Sequence, residues 1–195
     1  MTTAQLDTRP KPPVDRPLTA EEFGELPDCE PCELIRGRVV PLTYSGLMRS
    51  LLATKTAFRL AGYAKDKGLG QVFVGQVGIV LERNPDTVRG PDVGFICTGR
   101  MPPQEELDEY LKVPPDLCVE VVSPGDRWPK ITEKVDMFLA FGVTLVWVID
   151  PQTRTAHVYR KGREVRVVQA TGSLEGEDVL PGFMLPLAEL FGELG

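Results

Sequence analysis

Pro115-Asp116-Leu117-Cys118-Val119-Glu120-Val121-Val122-Ser123-Pro124 reads as an apolar strand with one carboxylate near its end. Asp and Glu are poor strand residues, so Glu120 among Cys and Val needs a partner of opposite charge or a functional reason. A second stretch, Gly90-Pro91-Asp92-Val93-Gly94-Phe95-Ile96, sets an aspartate at the start of another apolar strand. If the two strands are neighbours, both carboxylates project from one face or one end of a sheet. The backbone carbonyl of Val121 is then a natural third oxygen for a hard cation.

Lys134 follows on a helical pattern. At about 100° per residue it lies between the directions of Phe138 on one side and Met137 and Phe141 on the other, while Asp136 points away. A lysine on the apolar side of a helix snorkels or pairs with a carboxylate. Asp92, Glu120 and Lys134 together suit a Mg²⁺-dependent phosphodiester hydrolase, with two ligands for the ion and an ammonium to steady water or developing charge. The same residues also suit a structural ion pair between Glu120 and Lys134, with Asp92 capping a turn. The residues alone leave both readings open. Glu33, ahead of Leu34-Ile35, is an auxiliary acidic candidate or a solvated edge residue. Ser123, Arg127 and Lys130, in and after the loop that follows Glu120, are candidate phosphate contacts. Trp128 is a candidate for stacking on a base or packing on a neighbour. His157 reads as a surface residue.

Working outward, residues 1–16 are a tail rich in proline and charge, and 17–195 form one domain. Thr19-Ala-Glu-Glu22 is a capping box that opens a short helix. Residues 33–40 give two short strands bent at Gly37. The longest helical pattern runs from Leu47 to Lys67, with Leu47, Leu51, Thr54, Phe58 and Ala61 as its periodic set and Gly68 as its stop. Residues 71–82 read as strand, 104–111 as a short acidic helix, 132–141 as a helix ended by Gly142 and 144–149 as a continuous apolar strand. Residues 157–159 and 164–168 form a hairpin around Lys161-Gly162, and 187–191 a final helical turn. This order predicts an α+β fold, with a central mixed sheet and helices against it.

The chain has 195 residues, 42% of them apolar, and a net charge of −6. That acidity argues against a protein permanently coated in nucleic acid, though not against a local basic rim around an acidic metal site. No apolar run approaches the roughly 20 residues of a membrane span, and no leader-like segment opens the chain, so a cytoplasmic protein is expected. Of Cys29, Cys32, Cys97 and Cys118, the last two sit in apolar strands and read as core residues. Cys29 and Cys32 make a CxxC with no second pair, so they read as thiols in a turn rather than as a zinc site.

These stretches resemble the Uma-two family of restriction-endonuclease-like proteins, within the PD-(D/E)XK superfamily. The resemblance rests on Glu33-Leu-Ile-Arg-Gly-Arg-Val-Val40, Pro91-Asp92-Val93, Pro115 to Pro124, Lys134, Gly142-Val143, Trp147-Val-Ile-Asp-Pro151 and Leu180-Pro-Gly-Phe183, in that order. It implies a restriction-endonuclease-like core, a Mg²⁺ cofactor that Mn²⁺ can replace, and DNA as substrate. The family's aspartate falls on Asp92, its glutamate on Glu120, its early glutamate on Glu33 and its lysine on Lys134. In the wider superfamily the lysine stands two residues after the glutamate, where this chain has Val122. The chain also departs from the pattern at Arg36 and Lys130, where an acidic residue is usual, and in lacking a histidine near Leu47–Arg49. A homodimer is expected by analogy, since cutting two strands invites two sites. The alternative is a catalytically inactive module of the same fold that binds nucleic acid or a protein partner.

Overall fold

The computed structural model describes residues 16–26 and 31–192. The elements in chain order are α1 (Ala20–Gly24), β1 (Cys32–Ile35), β2 (Arg38–Pro41), α2 (Leu47–Lys67), β3 (Gly70–Val74), β4 (Ile79–Glu82), β5 (Thr87–Arg89), β6 (Val93–Cys97), β7 (Leu117–Val121), α3 (Trp128–Phe141), β8 (Leu145–Asp150), β9 (Thr155–Tyr159), β10 (Arg166–Val168), β11 (Ser173–Glu175), β12 (Met184–Pro186) and α4 (Leu187–Gly192). Six strands form the main sheet in the order β10-β9-β8-β7-β6-β3, and β2-β1-β5-β4 form a second, antiparallel sheet. Within the main sheet β7 and β8 are parallel and the other pairs antiparallel. A parallel pair needs a crossover, and α3 supplies it.

The strand β8 is buried along its whole length, as its unbroken Leu-Val-Trp-Val-Ile run requires of a strand covered on both faces. Each fully buried Leu, Ile or Val there contributes about 2 kcal/mol. One face of the sheet packs on α2 and α4 through Val119, Val121, Leu52, Leu60 and Phe191. The other packs on α3 through Cys118, Val122, Val135 and Phe138. A third cluster (Leu18, Phe23, Leu34, Val80, Val88) joins α1 to the second sheet.

The capping box at Thr19, the hairpin at Arg36-Gly37 and the left-handed stops at Gly68 and Gly142 form as the sequence predicts. Four expectations are corrected. The buried stripe of α2 is Leu52, Thr56, Leu60 and Ala64, while Leu47, Leu51, Thr54, Phe58 and Ala61 face outward. Small Ala53 and Ala57 beside that stripe let the helix lie against the sheet. Residues 71–82 are two strands in different sheets, because Gly75 and Gln76 take left-handed φ of 92° and 56° and turn the chain. Residues 104–111 hold only a 3₁₀ turn at Gln104–Glu106. Cys32 is disulfide-bonded rather than a thiol, while Cys97 and Cys118 are free. Cys29 and nearly all of the expected N-terminal tail lie outside the described residues. The short pair β11–β12 has no sequence counterpart.

Candidate functional site

Three features of the backbone bring the acidic residues together. Strands β6 and β7 are antiparallel, with Val93 opposite Val119, so the start of β6 lies at the end of β7. On β7, Leu117, Val119 and Val121 face α2, so residue 120 faces α3 by the two-residue period of a strand. The chain crosses from the second sheet to the main one at Gly90-Pro91, which places Asp92 at the junction of the two. Its backbone N–H donates to Val119 O at 3.0 Å. Its carboxylate accepts the Val121 N–H at 2.8 Å.

Two helices then supply cations from opposite layers. Lys134 on α3 is buried, with Nζ 2.7 Å from Glu120 Oε1 and 3.4 Å from Glu33 Oε1, and it donates to the Gly90 carbonyl at 2.7 Å. From the first turn of α2, Arg49 donates through Nε to both Asp92 oxygens at 3.0 Å. Its Nη2 lies 2.8 Å from Asp92 Oδ1 and 3.7 Å from Glu120 Oε2. Arg89, at the end of β5, pairs with Glu33 at 2.8 Å. Gly90 has to be glycine, because a Cβ there would come within 2.6 Å of the Gln76 carbonyl group in the turn between β3 and β4.

Burial sets the electrostatics. It pushes the Glu120 carboxyl up to about 7, with the charge of Asp92 adding to the rise while Lys134 and Arg49 oppose it. Lys134 also titrates above its ordinary value: burial favours the neutral amine, but Glu120 and Glu33 more than offset this. Two cavities flank the cluster. One of about 670 Å³ is lined by Phe23, Tyr110, Glu33, Arg89 and Gly90, among others. The second, about 520 Å³, reaches Tyr44, Arg49, Ser50 and Asp92. Both touch Gln76.

The structure thus brings together Asp92, Glu120, Lys134 and Glu33. Ser123, Arg127 and Lys130 lie apart from these contacts, the last two exposed, and the Ser123 N–H is bonded to Asp126 at 2.8 Å. Trp128 packs on His157 with ring centroids 4.7 Å apart. Sequence reading missed Arg49 and Arg89. Arg49 stands three residues before Leu52, one turn ahead of the buried stripe, and choosing the opposite face of α2 hid it.

The donor set can be tested against the ion that the resemblance implies. Two carboxylates and the Val121 carbonyl are hard oxygens, the chemistry that Mg²⁺ prefers, with the remaining positions left to water and substrate. Among the described residues no three His, Cys, Asp or Glu side chains converge as a metal-holding group. What lies between Asp92 and Glu120 is the Arg49 guanidinium, a cation in the place a cation would take. The donors fit the ion by type, and the Arg49 guanidinium contacts both carboxylates.

A mixed sheet between helix layers, with carboxylates gathered where β7 ends and β6 begins, defines a restriction-endonuclease-like α+β fold. The solved structure described as "a putative nuclease belonging to DUF820", from Anabaena variabilis ATCC 29413, shares it, with a TM-score of 0.80 over 90% of this chain and 98% of that one. At 23% identity the likeness is one of fold. The chain belongs to the Uma2 family, whose model, described as "Putative restriction endonuclease", matches residues 20–188. No curated protein matches it. Among the described residues no helix is long and apolar enough to cross a membrane.

Proposed function

We propose that this protein is a Mg²⁺-dependent endonuclease that hydrolyses DNA phosphodiester bonds. The observation that carries the reading is the convergence of Asp92, Glu120 and Lys134, from two strands and the crossover helix, within a family of nuclease fold. Asp92, Glu120 and the Val121 carbonyl would hold the ion, and Mn²⁺ would serve in place of Mg²⁺. When bound, the ion would polarise a phosphoryl oxygen and acidify a water molecule.

The rest is work for the chain's own groups. Asp92 is oriented by the Val121 N–H, so its carboxylate is fixed before any ligand arrives. Lys134 is held by the Gly90 carbonyl and Glu120, which aims its ammonium at the place where charge builds on phosphorus oxygens or where water attacks. Glu33 shares Lys134 with Glu120 and would act through water. Ser123, Arg127 and Lys130 would contact the flanking backbone phosphates. A homodimer bringing one site to each strand, in the cytoplasm, completes the proposal.

The test is cleavage of supercoiled plasmid by the full chain. We expect nicking in Mg²⁺ or Mn²⁺, none in EDTA, and none from Asp92→Ala or Glu120→Ala variants that melt cooperatively. Unchanged cleavage by the folded variants would overturn the mechanism. One observation favours the alternative of a non-catalytic binding module: Arg49 already satisfies Asp92. Calorimetric titration with Mg²⁺ separates the two, since a module would give no heat that depends on the carboxylates.

A further inference from the structure

We propose that Arg49 is a cation latch: its guanidinium and a divalent ion exclude one another from Asp92 and Glu120, and the displaced guanidinium turns to a substrate phosphate. The inference rests on the metal-dependent reading above and deepens it.

Geometry comes first. Arg49 makes three contacts of 3.0 Å or less with Asp92 and extends to 3.7 Å from Glu120 Oε2. Two carboxylates so placed repel one another unless a cation lies between them, and the guanidinium fork fits that role. A divalent ion bound to the same oxygens would meet the guanidinium at close range, in a part-buried site where water screens the repulsion less than it does at the surface.

Charge comes next. Asp92, Glu120 and Glu33 face Arg49, Lys134 and Arg89, three negative groups against three positive. Asp126 adds a further negative charge near Arg49. A divalent ion added to the cluster would shift its charge by two units toward positive, which a phosphodiester and the outward turn of Arg49 would relieve together.

Freedom to move is the third point. Lys134 is pinned by a backbone carbonyl, whereas the Arg49 partners are all side chains. Arg49 also lines the cavity of about 520 Å³ that it shares with Tyr44, Ser45 and Ser50, so it has space to swing without unfolding α2. Glu120 lines neither of the two cavities, so Arg49 is its link to the one that Asp92 also reaches. The ion and the arginine are therefore coupled negatively, by the several-fold to hundredfold typical of two ligands competing through one site.

Calorimetric titration with MnCl₂ tests the latch on the full chain, comparing wild type, Arg49→Ala, Arg49→Lys and Asp92→Ala. The expected result is Mn²⁺ bound about tenfold more tightly by Arg49→Ala than by wild type. Arg49→Lys should fall between, since lysine keeps the charge without the fork, and Asp92→Ala should not bind. Binding by Arg49→Ala where wild type binds none supports the latch as well. Equal or weaker binding by Arg49→Ala, beside Asp92-dependent binding by wild type, overturns the latch and leaves the metal reading intact. No binding by any of the four ends both. Should Arg49→Ala fail to fold, the Nε–H signal of Arg49 in the wild-type NMR spectrum gives the answer. It should lose its carboxylate-bonded shift as Mg²⁺ is added, and a signal that stays fixed while Mg²⁺ binds overturns the latch. Retention of a duplex oligonucleotide in Ca²⁺ tests the second half: Arg49→Ala should bind it about tenfold more weakly, and unchanged affinity would remove the phosphate role.

Discussion

Pro91-Asp92 and Pro115-Asp116 are the same local device at opposite ends of one strand pair. Each aspartate follows a proline, precedes a strand and is buried. Asp92 receives the N–H of Val121 at the end of β7, and Asp116 the N–H of Cys97 at the end of β6, at 2.8 and 2.7 Å. Each also meets an arginine, Arg49 or Arg100. The difference lies in what else arrives. At the Asp92 end, a carboxylate from β7, a lysine from α3 and a glutamate from the second sheet crowd the same space. At the Asp116 end there is a half-exposed arginine. A Pro-Asp corner is thus a structural fitting, and neighbours from other layers turn one of the two into a candidate site.

If that is the right distinction, the greatest sensitivity belongs to the cation that holds the crowded end together. Lys134→Met should destabilise the fold by about 3–5 kcal/mol in denaturant titration, because it leaves Glu120 buried and stripped of its closest partner. A loss below about 1 kcal/mol would mean that the two ends carry the same load.

The next test uses pH. Glu120 titrates near 7 in the folded protein, well above the 4.5 of an exposed glutamate. Between those values the folded state holds a proton that the unfolded state has released. The contribution of Glu120 to stability therefore falls as pH rises from about 4.5 to about 7 and is level above that, while His157, held below its ordinary value by burial, works in the opposite sense. The Glu120 drop should be about 3 kcal/mol in metal-free protein. Glu120→Gln should flatten it, while Asp116→Asn should leave it. A slope that survives Glu120→Gln would have to be placed elsewhere.

The two corners also show how far the sequence could be read. The helical period was enough to put Lys134 on the apolar side of its helix and in need of a carboxylate, so its meeting with Glu120 was legible, whereas the face of β7 that Glu120 takes came only with the packing. Nothing local tells Asp92 from Asp116, because their difference is tertiary. Arg49 was hidden for a similar reason. The larger apolar residues of α2 mark its outer face, while the buried face relies on Leu52 and Leu60 with small Ala53 and Ala57 beside them. Separation of β3 from β4 was illegible because two residues, Gly75 and Gln76, reroute an apolar run between sheets.

Kinetics sharpen the contrast. Asp92→Asn should lower Mg²⁺-dependent nicking at least a hundredfold, since it removes a charge the proposed chemistry requires. Asp116→Asn should cost about 2 kcal/mol of stability, through a weakened charged acceptor for the Cys97 N–H and Arg100. Its nicking rate should stay within about twofold of wild type when assayed well below its melting point. Equal loss of rate in both variants would erase the assigned difference.

Smallest of all should be the effect of Arg100→Met. The Arg100 side chain is 37% exposed and its contact with Asp116 measures 2.5 Å. Water competes for the Arg100 guanidinium there, and holding a long side chain in one geometry costs rotamer entropy. Removing it should therefore cost about 1 kcal/mol or less, and less still near 1 M salt, since salt weakens ion pairs with an exposed partner. Asp116 keeps the Cys97 N–H, so it is not stranded. Lys134 differs because it is itself buried and is the closest partner of Glu120. Melting the two variants side by side at low and high salt makes the comparison quantitative: the Arg100→Met deficit should shrink with salt and the Lys134→Met deficit should persist. If both shrink alike, the crowded end is wetter than its burial indicates, and the case for a protected reaction centre there weakens with it.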